Sequence, residues 1–144
     1  MNWLFNDFKR NLQDILNKCK YPGEISTWKQ FSKQIRSSRY QLLQALDQTQ
    51  NSILVTGCQR SGTTMLTKLI SSHHSISQYF NELDTELDGA LILSNYRKIN
   101  FQGRYCFQTT YLNDSYNEYF LHYLDHYIIW LIRNPISVIN SMVH

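Results

Sequence analysis

Ile53-Leu54-Val55-Thr56-Gly57-Cys58-Gln59-Arg60-Ser61-Gly62-Thr63-Thr64 decides the fold. A short apolar run ends at Gly57, a loop follows, and Thr63 and Thr64 open a helical pattern. Met65, Leu66, Leu69 and Ile70 repeat at helical spacing behind it. The order is strand, glycine loop, helix. Gly57 and Gly62 bracket four residues, the spacing of a phosphate-cradling loop. Backbone N–H groups at a helix start point outward without partners, and the helix dipole adds positive potential there. Glycines let the chain wrap an anion closely.

Working outward, Tyr105–Thr110 and Tyr127–Ile132 read as two further strands, with an aromatic-rich helix over 115–126 between them. Asn134 suits an N-cap and Pro135 the first position of a last helix. Three strands alternating with helices, two of them continuous apolar runs, predict a parallel sheet covered on both faces. The expected fold is therefore α/β: a three-layer parallel sheet of the phosphate-loop nucleoside-triphosphate-hydrolase type.

The first third has a different texture. Residues 1–50 carry eight basic and four acidic side chains; residues 51–144 carry six and seven. Leu4, Phe5, Phe8, Leu12, Ile15, Leu16 and Cys19 share one helical face, and Tyr21-Pro22-Gly23 ends it. Ser26 is the expected cap of a second helix, with Trp28, Phe31, Ile35, Leu42 and Leu46 as its inner stripe. Lys29, Lys33, Arg36 and Arg39 then form a basic ridge, read as a solvated helix face. The expected organisation is a helical N-terminal extension, 1–50, before an α/β domain over 51–144.

Composition narrows the function classes. With 42% hydrophobic and 17% charged residues, the chain of 144 residues is too apolar for disorder. A net charge of +3 does not argue for nucleic acid. No apolar run approaches the ~18 residues of a membrane span. No signal-peptide core is visible, so a cytoplasmic location is expected. Cys19, Cys58 and Cys106 give neither a disulfide framework nor a zinc pattern. His122 and His126 stand at metal-ligand spacing, but Tyr123 replaces the Glu of the zinc-protease pattern. His73 and His74 are adjacent, so their side chains are expected to diverge. Glu82, Asp84, Glu86 and Asp88 lack the spacing and turn glycine of a calcium loop.

Two departures from nucleotide hydrolases refine the loop. Thr63 stands where their Lys follows the second glycine, and Arg60 supplies the cation from inside the loop. The strand Ile128–Ile132 ends in Arg133 rather than in an acidic magnesium partner. Two arginines with no carboxylate at the strand end suit an anion held without metal.

Gly57-Cys-Gln-Arg-Ser-Gly-Thr-Thr64 resembles the 5′-phosphosulfate loop of sulfotransferases that use 3′-phosphoadenosine 5′-phosphosulfate. Arg133-Asn-Pro-Ile-Ser-Val-Ile-Asn-Ser141 resembles their second motif, with Ser eight residues after the Arg. The resemblance covers 51–144 and implies a division of roles. Arg60, Ser61, Gly62, Thr63 and Thr64 would contact the 5′-phosphosulfate. Arg60 would also stabilise charge on the leaving phosphate. Arg133 and Ser141 would hold the 3′-phosphate. Glu82 would be the acceptor's base, with Glu86 or His74 in reserve. The implied activity is in-line sulfuryl transfer to a hydroxyl or amine, with the nucleotide donor as co-substrate and no metal.

The chain departs from that family in two ways. Gln108-Thr109-Thr110 stands where many relatives carry Lys-Thr-Pro. Family domains continue well past the second motif, so the chain reads as the N-terminal part of such a domain. Little transfer by these 144 residues alone, a bare sheet edge and self-association are therefore expected. The rival readings are a magnesium-dependent phosphate-loop protein such as a kinase, and a non-catalytic nucleotide-binding remnant.

Overall fold

The computed structural model describes residues 25–38, 41–49, 51–77, 85–121 and 126–143. The first predicted helix, Arg39, Glu82 and His122 lie outside them. The chain forms two compact units, Met1–Arg39 and Tyr40–His144, so the division falls ahead of the 50/51 boundary read from composition.

In the first unit, α1 (Trp28–Gln34) is capped by Thr27, not Ser26. Thr27 and Gln30 form a reciprocal capping box. The helix ends at Ile35, and a 3₁₀ turn follows at Arg36–Ser38. The Ser37 hydroxyl donates to the Lys33 carbonyl, a local bond that competes with continued helix. Leu42 and Leu46 therefore do not continue a stripe begun at Trp28. They belong to the second unit, where Gln44–Gln48 is a 3₁₀ segment.

The second unit is an all-parallel sheet of four strands, one more than the periodicity suggested. They are β1 (Ile53–Gly57), β2 (Ile76–Ser77), β3 (Arg104–Gln108) and β4 (Tyr127–Leu131), in the order β2-β3-β1-β4. Ile53 pairs with Cys106 on one side and with Tyr127 on the other. The helices of this unit are α2 (Thr63–Ser71), α3 (Thr85–Leu93), α4 (Tyr116–Leu121) and, after β4, α5 (Pro135–Val143).

Strand alternation sends Ile53 and Val55 to one face, where Cys106, Leu66 and Ile70 meet them. Thr56 faces the other way and donates to Asn113 in the segment that returns after β3. β1 is buried along its whole length, as expected of a central parallel strand. β4 is not: Tyr127 and Trp130 are exposed, so among the described residues cover on both faces does not extend to this edge.

The Asn134 side chain accepts from the Ile136 N–H and α5 begins at Pro135, as the sequence predicts. α3 was not anticipated. Its buried residues run from Glu86 and Leu87 through Gly89–Leu93, so no amphipathic stripe marks it. Among the described residues no helix is long and apolar enough to cross a membrane.

Candidate functional site

The 57–64 loop leaves the C-terminal end of the central strand β1, where parallel α/β sheets place their ligand crevices. Its path demands glycine at the start. Gly57 has φ +140°, and a Cβ there would stand 2.4 Å from the Leu131 carbonyl oxygen of β4. Gly62, at φ +103°, is the N-cap of α2. Arg60 also adopts a left-handed conformation, φ 64°, costly for a side-chain-bearing residue. The turn is closed by the Ser61 N–H and hydroxyl, which both donate to the Cys58 carbonyl, at 3.1 and 2.5 Å.

The first helical return bond runs from the Leu66 N–H to the Gly62 carbonyl, at 3.1 Å. The N–H groups of Thr63, Thr64 and Met65 precede it and open at the helix start. Thr64 is exposed there and Thr63 is buried. The loop thus presents outward donors, a helix N-terminus and the exposed Arg60 side chain.

Arg133 joins this loop. It follows β4, and its Nη1 donates to the Arg60 carbonyl at 2.9 Å. The two arginines singled out in sequence are therefore brought together. Ser141 is half-buried on α5, and no hydrogen bond links it to either arginine among the described residues.

The base candidates fare differently. Glu82 lies outside the described residues. His73 and His74 sit just past the C-terminal end of α2, and the nine-residue helix, about 13 Å long, separates them from the loop at its start. Their rings do not diverge: the centroids are 4.3 Å apart. Glu86 is buried with its carboxylate engaged. Oε2 accepts from Gln108 Nε2 at 3.0 Å, while Oε1 accepts from the Tyr111 N–H at 2.7 Å and from the Thr110 hydroxyl.

Arg133 follows β4, as the sequence reads, and a carboxylate that the sequence did not place there stands at the end of another strand. The strand flanking β1 opposite β4 is β3; it ends at Gln108, and the Glu86 carboxylate stands against that residue. Gln108 Nε2 also lies 3.1 Å from Thr64 Oγ1 and 3.3 Å from Thr63 Oγ1. Sequence reasoning noticed Gln108 only as a missing Lys. Its closeness to the loop follows from β3 pairing with β1, a long-range relationship.

Two further groups bound the site. Asn113 accepts from Thr56 and donates to the Gly57 carbonyl at 2.6 Å, tying the strand end to the segment after β3. Tyr119 donates to the Thr109 carbonyl at 3.1 Å, and burial pushes its phenol pKa up. A separate cavity of about 460 Å³ is lined by Gln48, Asn51, Arg104 and Tyr127, before β1 and at the starts of β3 and β4. It is therefore at the sheet end away from the loop. No family model, curated protein or solved structure matches the chain.

Proposed function

We propose that the second unit binds the nucleotide sulfate donor 3′-phosphoadenosine 5′-phosphosulfate and belongs to a sulfotransferase. The observation that carries this reading is the bond from Arg133 to the Arg60 carbonyl. It joins the two motifs that resemble the donor-binding elements of that family. The strand order, with the loop on a central parallel strand, supports a phosphate-loop fold.

Arg60, Ser61, Gly62, Thr63 and Thr64 would hold the 5′-phosphosulfate, since outward N–H groups and hydroxyls suit anionic oxygens. Arg133 would pair with the 3′-phosphate, and Ser141 would add a hydroxyl. In transfer, an acceptor oxygen or nitrogen forms a bond to sulfur. The sulfur–oxygen bond to the 5′-phosphate breaks, and its electron pair leaves with 3′,5′-adenosine bisphosphate. Arg60 would stabilise that leaving charge, and Glu82 would take the acceptor's proton. A cytoplasmic site of action fits this reading.

The test is calorimetry of the chain with 3′,5′-adenosine bisphosphate, with and without a chelator. Metal-independent binding is the expected result. Binding that needs magnesium and prefers ATP would replace this reading with that of a magnesium-dependent kinase-like protein. Bisphosphate binding without sulfate transfer to hydroxyl or amine acceptors would indicate a nucleotide-binding remnant or an incomplete enzyme.

A further inference from the structure

We infer that Glu86 is a positioning residue that acts on the loop's occupant through Gln108 and Thr64. The inference rests on the reading of the loop as an anion site and adds a residue pair to it. A carboxylate only accepts hydrogen bonds, so the Gln108 amide must turn its nitrogen toward Glu86 Oε2. The Tyr111 N–H and Thr110 hydroxyl occupy Oε1 and fix the carboxylate from the far side.

With that orientation set, the next-nearest acceptor for the amide's second hydrogen is Thr64 Oγ1, at 3.1 Å. Thr63 Oγ1 and Thr110 Oγ1 lie farther, at 3.3 and 3.5 Å. Thr64 therefore accepts from the protein, and its own proton points elsewhere. It stands exposed on the first turn of α2, where the loop's N–H groups open. The relay makes Thr64 a dedicated donor to an oxygen that can only accept, such as that of a phosphate or phosphosulfate.

Glu86→Gln separates this relay from simple electrostatics. Removing a buried negative charge near an anion site should tighten anion binding if charge alone matters. The relay demands the opposite. Tyr111 N–H and Thr110 would keep the new amide's oxygen, so its nitrogen would face Gln108. Gln108 would then flip and present its oxygen to Thr64, turning the threonine proton inward.

Affinity for 3′,5′-adenosine bisphosphate should fall roughly ten- to a hundredfold in Glu86→Gln. Thr64→Val, at an exposed position, should lose a similar factor, and the double variant should lose no more than either single one. Thr64→Ser keeps the hydroxyl and should recover most of the affinity that Thr64→Val loses. Tighter binding by Glu86→Gln, or additive losses, would overturn the relay. The ¹⁵N signals of the Gln108 side-chain amide give a readout without ligand: both Glu86→Gln and Thr64→Val should shift them. Unshifted signals in Thr64→Val would overturn the relay too. Shifted signals in a protein whose wild type binds no bisphosphate would leave the relay standing and remove the donor reading.

Discussion

Arg133 Nη1 donates to the backbone carbonyl of Arg60 at 2.9 Å, across 73 residues of sequence. The bond uses one arm of a five-donor guanidinium and leaves the others for an anion. It also ties the segment after β4 to the one loop residue other than glycine that has a positive φ.

Arg133 thus braces the loop, and in the proposed reading it also meets a phosphate. Arg133→Ala and Arg60→Ala should each weaken 3′,5′-adenosine bisphosphate by roughly ten- to a hundredfold in calorimetry. Arg133→Lys keeps the charge but loses the planar fork, so it should recover only part of the loss. Unchanged affinity in Arg133→Ala would detach the second motif from the site.

Gly57 is predicted to tolerate no side chain. Its φ of +140° is strained for an L residue, and the added Cβ would meet Leu131 backbone oxygen at 2.4 Å. Relief would require moving β4, which pairs with β1 along five residues. Gly57→Ala should lower unfolding free energy by about 2–4 kcal/mol in urea titration. A loss under about 1 kcal/mol, or the gain of ~0.4–1 kcal/mol that Gly-to-Ala brings at an unstrained site, would show that the strand end yields.

The β1–loop–α2 unit was legible because its signals are local: an apolar run, two glycines at fixed spacing, and Leu66 and Ile70 at helical period. The parallel sheet followed from apolar strands alternating with helical segments. β2 was not legible, since Ile76 and Ser77 are too few to show a period. α3 hid because Leu87 and Ala90–Leu93 bury it on several sides while Glu86 and Asp88 resemble a solvated acidic stretch. Within the site, Arg60 and Arg133 stood out by charge and spacing. Glu86 and Gln108 acquire meaning only through β3 pairing beside β1, which no local pattern encodes.

The two described cysteines should react very differently. Cys58 lies exposed in the loop, and Cys106 is buried in β3. In a Cys19→Ser background, maleimide should label Cys58 and spare Cys106 in the folded state. 3′,5′-Adenosine bisphosphate should slow the labelling of Cys58. Labelling at an unchanged rate under saturating bisphosphate would place the ligand away from the loop.

Cys106 also makes stability depend on alkaline pH. Burial is the main cause that pushes its thiol from an ordinary 9.0 up to about 11. The fold favours the neutral thiol, so this contribution is complete below pH 9 and is lost as pH rises toward 11. The loss should approach about 2–3 kcal/mol. Tyr119, raised by burial as well, adds to the decline above its ordinary 10.0. Urea titrations from pH 8 to 11 should therefore show a shallower decline in Cys106→Ala than in wild type. Parallel declines would mean that the buried thiol contributes nothing.

The open side of the sheet predicts how the purified chain behaves. β4 ends the order β2-β3-β1-β4, so one row of its backbone groups has no strand beside it among the described residues. β4 carries no charged residue and no proline, the devices that normally discourage edge pairing. Trp130 is 50% exposed and Ile132 91%, and Ile136, Ile139, Met142 and Val143 on α5 are exposed as well. Apolar surface of this kind, next to an unpaired edge, favours pairing between identical chains, whose open edges match one another. Sedimentation should show association that rises with concentration. Ile132→Lys places a charge beside the edge at a fully exposed position and should shift the chain toward monomer without lowering its unfolding midpoint. A wild-type chain that stays monomeric at high concentration would show that the 127–143 surface does not pair with itself.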